Sequence, residues 1–372
     1  MKEKELFDSF WLASIEGIGA KSVEKLVNEA GSVAGVCALT DDRVAACIGK
    51  KRAEALKAAN TEKGHALSGR RLLRILEKKI TFLPRWHPDY PNRLKQIPDP
   101  PLMLFLKGRL PDEKQKLAAV IGARACSAYG AQMARFFANQ LAVNGVGIVS
   151  GMARGIDCIA QEAALLTGQN SVAVLGCGVD ICYPPENQRL YEQLEMEGCL
   201  LSEYMPGTRP QAHLFPPRNR IISGMSDLVL VVEAREQSGT LITVDMALEQ
   251  GREVFAVPGR VMDLCSRGCN RLIAHGAGIA TDPEVLLEAL GGENFGGLDI
   301  RQGGRMGENI HGSDRLLTKE VLTALDSDSL SLDELAARTG FSDRMAELMQ
   351  ELVLLNMEGI VICQGGRYGK KI

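Results

Sequence analysis

The feature that most constrains this 372-residue chain is an alternation of apolar runs, glycine turns and helical stretches between Leu117 and Leu290. The runs VAVLGCG (172–178), LVLVVEA (228–234) and VFAVPG (254–259) are continuous and rich in β-branched residues. Such runs are typical of parallel strands that are buried on both faces. Strands that alternate with helices form a doubly wound sheet with right-handed crossovers. The segment therefore predicts an α/β fold.

Arginine or hydroxyl side chains recur where these predicted strands end and helices begin. In an open α/β sheet, ligands bind at the carboxyl ends of the strands, where helix N-termini offer free N–H groups and a positive dipole. We predict a shared anion-binding edge there, suited to a polyanion more than to a single small metabolite. The cluster at 218–220 is expected just before a helix-like turn. The polar residues at these turns are Arg124, Ser127, Arg154, Arg218, Asn219, Arg220, Ser238 and Thr240.

Phe215 stands beside these arginines in the segment FPPRNR. An aromatic ring next to guanidinium groups suits single-stranded nucleic acid, with bases stacked on the ring and phosphates on the arginines. Alternatively, Phe215 packs in the core, which is the commoner fate of a phenylalanine. The serine and threonine turns have a similar alternative, namely ordinary helix N-capping. The residues alone leave both alternatives open.

Composition limits the classes of function. The net charge of −3 means that any polyanion site must be a local patch. The chain has no apolar run of membrane-spanning length, its N-terminus is too charged for a signal peptide, and its ten cysteines are scattered. We therefore expect reduced thiols, a cytoplasmic location and no membrane association. Cys265 and Cys269 lie near His275 but lack a fourth ligand, so no metal site is expected.

The sequence predicts binding rather than catalysis. It contains neither G-x-G-x-x-G nor G-x-x-x-x-G-K-[ST], which removes the dinucleotide and P-loop interpretations and leaves no expected cofactor. The carboxylates nearest the predicted turns are Asp157, Glu162, Glu233 and Asp245. Asp157 is expected to cap its helix or to pair with Arg154. No convincing Ser/His/Asp arrangement accompanies them, so the chain is not expected to be an enzyme.

Two smaller domains are predicted to flank the sheet domain, which we place at residues 67–290. Residues 1–66 are helical, and their glycine turns, with Gly17-Ile18-Gly19 followed by Lys21, resemble a SAM-like or helix–hairpin–helix unit. A small protein–protein module is the alternative. Residues 291–313 have the Gly-rich polar composition of a linker. Residues 314–372 suggest short helices with a terminal hairpin, as in a winged-helix-like domain.

Many ordered motifs together resemble one family, the DNA-processing protein A (DprA, or Smf) family. The resemblance implies an extended Rossmann-like domain that binds single-stranded DNA and forms a homodimer. It also implies protection of incoming DNA and loading of the RecA recombinase during natural transformation. The motifs are GARACSAYG, SGMARGID, AVLGCGVDICYPPEN, LSEYMPGTRP, FPPRNRIISGMS, VVEAREQSGTLIT, ALEQGREVFAVPGR and SRGCNRLIAHGA.

The resemblance also suggests roles for individual residues. Arg124 should be a principal phosphate contact, and the other candidates should fall in motifs that line the same pocket. Two departures from the family pattern occur, because Gln161 replaces a frequent histidine and Gln169-Asn170 replaces a frequent lysine. The first suggests that the histidine is not a required catalytic group, and the second predicts weaker binding. The expected DNA-binding residues are Arg124, Ser127, Arg154, Phe215, Arg218, Asn219, Arg220, Ser238, Thr240, Asn270 and Arg271.

Two other functions compete with this interpretation. A nucleotide-binding hydrolase of the phosphoribohydrolase type has a similar strand order and a Gly/Thr turn before a helix, but the segment here lacks the expected PGG before Ser238. A DNA-bound regulator would use the C-terminal domain. Its candidate recognition helix, 342–357, is predominantly acidic, and phosphate repulsion makes it a poor groove reader.

Overall fold

The computed structural model describes residues 1–291, 320–325, 329–340, 344–357, 360–364 and 367–370. Its contacts divide the chain into two units, Met1–Phe295 and Gly296–Ile372. The first unit contains the N-terminal helices and a large sheet, and the second contains a small sheet with helices. Apart from Gly291, the predicted linker at 291–313 lies outside the described residues.

Strands of the first unit form one continuous sheet. They are β1 Thr81–Pro84, β2 Met103–Gly108, β3 Leu117–Ile121, β4 Gly147–Ser150, β5 Ser171–Val174, β6 Cys199–Ser202, β7 Leu228–Val231, β8 Glu253–Ala256 and β9 Gly278–Ile279. Their order is β1-β2-β6-β5-β4-β3-β7-β8-β9. The seven strands from β6 to β9 in this order are parallel, whereas β1 and β2 pair antiparallel. The predicted parallel α/β sheet is confirmed.

The strand order reverses at β3, which pairs with β4 on one side and β7 on the other. The chain first winds outward from β3 through β4, β5 and β6, and then returns to β7 on the opposite side of β3. This arrangement leaves a crevice at the carboxyl ends of the strands, where doubly wound folds bind their ligands.

Both faces of the sheet are covered by helices, which explains the continuous apolar runs. Along β3, Leu117, Ala119 and Ile121 belong to one core cluster, whereas Ala118 and Val120 belong to the other. Successive strand side chains point to opposite faces, so β3 contributes to both cores at once. The helices are α1 Glu3–Ala13, α2 Ala20–Ala30, α3 Val33–Val36, α4 Asp41–Ile48, α5 Lys50–Ala59, α6 Glu62–Glu77, α7 Asn92–Lys95, α8 Ala128–Val143, α9 Ile156–Leu165, α10 Gln188–Glu197, α11 Phe215–Met225, α12 Gly239–Glu249, α13 Arg267–Ala274 and α14 Pro283–Ala289.

The N-terminal helices pack around their own small core and also against the sheet. Trp11 is buried in that core and donates its indole N–H to the carbonyl oxygen of Ala59 at 3.1 Å. Phe10 makes an edge-on contact with Phe82 of β1, with ring centroids 5.2 Å apart. The helix α6 runs from 62 to 77 and thus continues through the domain boundary expected at residue 66.

The second unit has a three-stranded antiparallel sheet. Its strands β10 Leu330–Ser331, β11 Val361–Gln364 and β12 Arg367–Lys370 are arranged in the order β10-β12-β11. The helix Leu332–Thr339 begins with a capping box, in which the side chains of Ser331 and Glu334 each accept a hydrogen bond from the other residue's backbone N–H. A second helix spans Met345–Met357. The winged-helix assignment of this unit stays a prediction.

Candidate functional site

A cleft of about 640 Å³ opens at the carboxyl edge of the sheet, beside the point where the strand order reverses. The loops that follow β3, β4 and β7 contribute to its lining, as do the first residues of α11 and α12. The N-termini of α9, α11 and α12 therefore meet at one place, and their dipoles favour a negatively charged ligand. The expected candidates that line this cleft are Arg124, Phe215, Arg218, Asn219, Ser238 and Thr240.

Arg124 is exposed in the loop after β3, and its Cζ lies 5.8 Å from the centroid of the Phe215 ring. This loop packs tightly on the loop after β4 through Gly155, whose φ is +75°. A Cβ at position 155 would lie 2.7 Å from the carbonyl oxygen of Arg124. Glycine is needed here both for the backbone conformation and for the close approach. The contact fixes the position of Arg124 at the mouth of the cleft.

Arg218 lies in the first turns of α11, with only 3% of its surface exposed. Its guanidinium donates to the carbonyl oxygen of Val174 at the end of β5, and its Cζ lies 5.7 Å from the Phe215 ring centroid. The Nε atom has no hydrogen-bond partner among the described residues. Burial lowers the pKa of Arg218 to about 10, and the opposing charge of Asp157 limits this shift. The buried guanidinium stays charged at neutral pH.

Asp157 supplies the negative charge that faces the Arg218 guanidinium. It does not form the expected pair with Arg154. Its Oδ2 accepts a hydrogen bond from the backbone N–H of Gly151 at 3.1 Å. A Cβ at Gly151 would lie 2.8 Å from this oxygen and closer still to Arg218, so the absence of a side chain leaves room for both groups. Burial raises the pKa of Asp157, while the charge of Arg218 lowers it. Arg154 instead forms a surface ion pair with Glu186.

Phe215 and Tyr183 form an aromatic pair in the cleft. Their ring centroids are 5.5 Å apart and their planes are inclined by 40°. Phe215 is half-buried, so it is not packed fully in the core, and its stacking on a base stays a prediction. Tyr183 lies in the loop between β5 and α10 and remains 40% exposed.

The hydroxyl residues act mainly as helix caps. The Ser127 Oγ accepts from the backbone N–H of Gly130 at 3.0 Å and donates to the buried Glu233, whose other oxygen accepts from the Ser127 backbone N–H at 2.9 Å. Ser127 is not among the residues that line the cleft. The Ser238 Oγ accepts from the backbone N–H of Thr240 at 3.2 Å, while Thr240 Oγ1 donates to Gly122 O at 3.2 Å. Ser238 thus caps α12, the Thr240 hydroxyl links that helix to the loop after β3, and both residues line the cleft.

Arg220 faces away from the cleft, contrary to the expected shared pocket. It contacts Glu203 at 2.6 Å and Asp99 at 3.2 Å, beside the N-terminal helices. The cluster 218–220 was expected before a helix-like turn, but α11 already begins at Phe215. Within an α-helix, residues two apart differ in direction by about 200°. One arginine of the pair therefore reaches the cleft and the other reaches the opposite side.

Two other expected residues lie outside the cleft lining. Asn270 on α13 exchanges two hydrogen bonds with the backbone of Gly259, at 3.2 and 3.0 Å, and so fixes the loop after β8. Arg271 is exposed on the same helix. Their contacts with DNA stay predictions, as do those of the other candidates.

Sequence reasoning missed two residues that contribute chemistry to the cleft, Tyr183 and Arg235, and it also missed the charged partner of Asp157. Arg235 follows β7 closely and could have been found by the same strand-end rule that selected Arg124. Tyr183 gave a weaker signal, an aromatic in the loop segment YPPEN. The partner of Asp157 carried no local signal, because Arg218 is distant in sequence.

Neither a metal-binding group nor a membrane-crossing helix was found in the part of the chain that the structure describes. The search for metal sites covered clusters of three or more His, Cys, Asp or Glu residues. The helices there are too short or too polar to traverse a bilayer.

Comparison with known proteins identifies the family. A sequence model described as DNA recombination-mediator protein A matches residues 81–291, which include the whole cleft. The chain belongs to this family. A second model, the SAM-like helix-hairpin-helix tandem, matches residues 12–59, in agreement with the expected N-terminal unit.

Relatives within this family align well with the chain. The DNA processing protein DprA of Streptococcus pneumoniae is 45% identical over 198 residues, which cover 53% of this chain and 70% of the relative. An X-ray structure of DprA from the same species has a TM-score of 0.68 at 34% identity and covers 76% of this chain and 97% of its own. A Helicobacter pylori DprA structure, described for its single-stranded DNA binding mode, has a TM-score of 0.51 at 30% identity, with coverages of 57% and 95%.

Proposed function

We propose that this protein binds single-stranded DNA in the cleft without catalysing a reaction on it. The observation that carries the proposal is the joint placement of Arg124, Arg218 and Arg235 with an aromatic pair at the reversal of strand order. Guanidinium groups bind phosphates and aromatic rings stack on unpaired bases, which together suit a single strand. The Helicobacter pylori relative, whose structure is described for this binding mode, supports the same ligand.

The carboxylates at the site favour binding over hydrolysis. Among the described residues that line the cleft, Asp157 alone carries a carboxyl group, and histidine is absent from them. Asp157 is buried and accepts a hydrogen bond from the backbone of Gly151, and it faces Arg218. The buried Glu233 is bonded to Ser127. A general base must reach the proton that it removes, and both carboxylates are engaged within the protein.

The wider role proposed for the chain follows its family membership. We propose that it acts in the cytoplasm as a homodimer, protects incoming DNA and transfers that DNA to RecA recombinase during natural transformation. Strand exchange by RecA on DNA coated with a single-strand-binding protein tests the transfer. Stimulation by this protein supports it, and unchanged strand exchange contradicts it.

Fluorescence anisotropy with labelled oligo-dT tests the binding function, with unlabelled duplex as competitor. Arg124→Ala should weaken binding by about 1–3 kcal/mol, because a charge-assisted hydrogen bond to phosphate is lost. Arg135→Ala is the matched control, since Arg135 is an exposed arginine on α8 outside the cleft lining. Equal affinities for Arg124→Ala and the control would remove this loop from the binding site.

Failure of the folded wild-type protein to bind oligo-dT would overturn the proposed function. The phosphoribohydrolase alternative would then be tested by incubating the protein with nucleoside monophosphates and measuring release of the free base.

A further inference from the structure

Met152 has a backbone conformation that a residue with a side chain seldom adopts. It lies in the loop between β4 and α9, its side chain is fully buried, and its φ is +52°. A Cβ makes this left-handed conformation costly, so the surrounding structure must impose it. Lys79 is the one other non-glycine residue with a positive φ in the part of the chain that the structure describes. Strained residues concentrate at functional sites, and the loop of Met152 borders the cleft.

Side-chain hydrogen bonds impose this conformation, because they hold consecutive backbone groups of the loop. The N–H of Gly151 donates to Asp157 Oδ2 at 3.1 Å. The next N–H, that of Met152, donates to Gln161 Oε1 at 3.0 Å, and the Met152 carbonyl oxygen accepts from Asn187 Nδ2 at 2.9 Å. Met152 is therefore held through both of its backbone polar groups, by α9 and by the residue that precedes α10.

The amide of Gln161 is itself fixed by the sheet. Gln161 is fully buried on α9, and its Nε2 donates to Ser171 Oγ on β5 at 3.4 Å. That hydroxyl donates to the carbonyl oxygen of Ile148 on β4 at 3.1 Å. The amide oxygen thus faces the Met152 N–H, and turning it away would leave buried polar groups unpaired, which costs free energy. The interior of the domain therefore constrains the loop through Gln161.

The constrained loop supports the loop after β3, which carries Arg124. A Cβ at Gly155 would lie 2.7 Å from the Arg124 carbonyl oxygen, so the two loops are in direct contact. The N–H of Ile156 donates to the carbonyl oxygen of Ala123 at 3.3 Å and joins the loops a second time. Gly155 follows Met152 closely in the chain. A change of φ at Met152 would therefore move Gly155 and withdraw the support of Arg124.

We infer that Gln161 is a positioning residue for DNA binding, an inference that rests on the proposed function of the cleft. Gln161 holds Met152 in the left-handed conformation, and this conformation keeps Gly155 against the loop that carries Arg124. Gln161 itself does not touch the DNA. It reduces the entropy that the cleft loses when a phosphate is bound, because Arg124 is already in place in the free protein.

Oligo-dT anisotropy at mildly alkaline pH, where histidine is neutral, tests this role on variants whose folding is checked by circular dichroism. Gln161→Met keeps the length of the side chain but removes the acceptor. It should weaken binding by about 5- to 100-fold, because the unpaired N–H releases Met152 from its strained conformation. Gln161→His should retain most of the affinity, because a neutral imidazole offers an acceptor nitrogen to the same N–H.

Gln250→Met is the matched control. The Gln250 amide donates to the Arg220 carbonyl oxygen at 3.0 Å, and Gln250 lies outside the cleft lining. Loss of this hydrogen bond should leave the affinity for oligo-dT unchanged.

A thermodynamic cycle separates positioning from a general loss of structure. In protein that already carries Arg124→Ala, Gln161→Met should weaken binding by less than about 2-fold, because the residue that Gln161 positions is gone. Asn187→Ala removes the other bond to Met152 at a partly exposed residue. It should also weaken binding, and it tests the same constraint if Gln161→Met does not fold.

Wild-type affinity in either folded variant, Gln161→Met or Asn187→Ala, would overturn the inference while leaving DNA binding established. Equal losses on Gln161→Met with and without Arg124→Ala would also overturn it, because Gln161 would then act on the cleft by a route other than Arg124. Failure of the wild-type protein to bind oligo-dT would overturn the proposed function itself.

Discussion

Arg218 and Asp157 bring opposite charges into the protein at the base of the cleft, with only 3% and 8% of their surfaces exposed. Removing an ion from water is costly, and a nearby opposite charge compensates for part of that cost. The pKa of Arg218 falls and that of Asp157 rises on burial, so desolvation is the larger influence on both groups. The folded protein therefore holds a positive charge at a fixed position beneath the cleft, at the cost of removing both groups from water.

Asp157→Asn should reduce the free energy of unfolding by about 3 kcal/mol, because the buried guanidinium loses its compensating charge. Urea unfolding measures this loss. The double variant Asp157→Asn/Arg218→Met removes both charges and should recover part of it. If Asp157→Asn alone were as stable as the wild-type protein, the burial of the Arg218 charge would not depend on Asp157.

At the scale of elements, the site depends on how closely two loops approach each other. The loop after β3 carries Arg124, and the loop after β4 supports it through Gly155. Ser127 and Glu233 hold the other end of the first loop by two hydrogen bonds. An exposed arginine in a flexible loop would lose side-chain and backbone entropy on binding DNA. These contacts already restrict the loop in the free protein, so less entropy is lost on binding.

Gly155→Ala should lower both stability and DNA affinity. The backbone conformation of Gly155, with φ +75° and ψ −126°, costs about 1–3 kcal/mol for a residue with a Cβ, and the Cβ would also collide with the carbonyl oxygens of Ala123 and Arg124. Gly168→Ala is the matched control, because its φ of +74° is nearly the same but its Cβ would have no neighbour within 4 Å.

Thermal unfolding and oligo-dT anisotropy separate the two effects. The control should lose stability alone, whereas Gly155→Ala should also bind DNA more weakly because Arg124 is displaced. Equal DNA affinities in the two variants would show that loop packing does not position the site.

At the scale of the whole molecule, a protein with a net charge of −3 presents a locally positive cleft. Long-range attraction to DNA is therefore not expected, and binding should depend on the contacts in the cleft. The helix N-termini that meet there add fixed partial positive charge without changing the net charge of the protein.

Salt dependence measures how many phosphates the cleft neutralises. For single strands, the logarithm of the binding constant falls with the logarithm of salt concentration by about 0.7 for each phosphate neutralised. With the two exposed guanidinium groups of Arg124 and Arg235 at the cleft, a slope of about −1.4 is expected. Arg124→Ala should reduce the magnitude of this slope by about 0.7. A flat profile would indicate a neutral ligand and contradict the phosphate contacts.

The sequence by itself determined the sheet and the edge where the cleft lies. Apolar runs and glycine turns are local properties, and the runs at 172–178, 228–234 and 254–259 overlap the strands β5, β7 and β8 of the structure. Only the tertiary structure decided which side chains meet. Arg218 faces the cleft and Arg220 does not, because the start of α11 sets the direction of each residue. Asp157 faces Arg218 because packing joins residues that are distant in sequence.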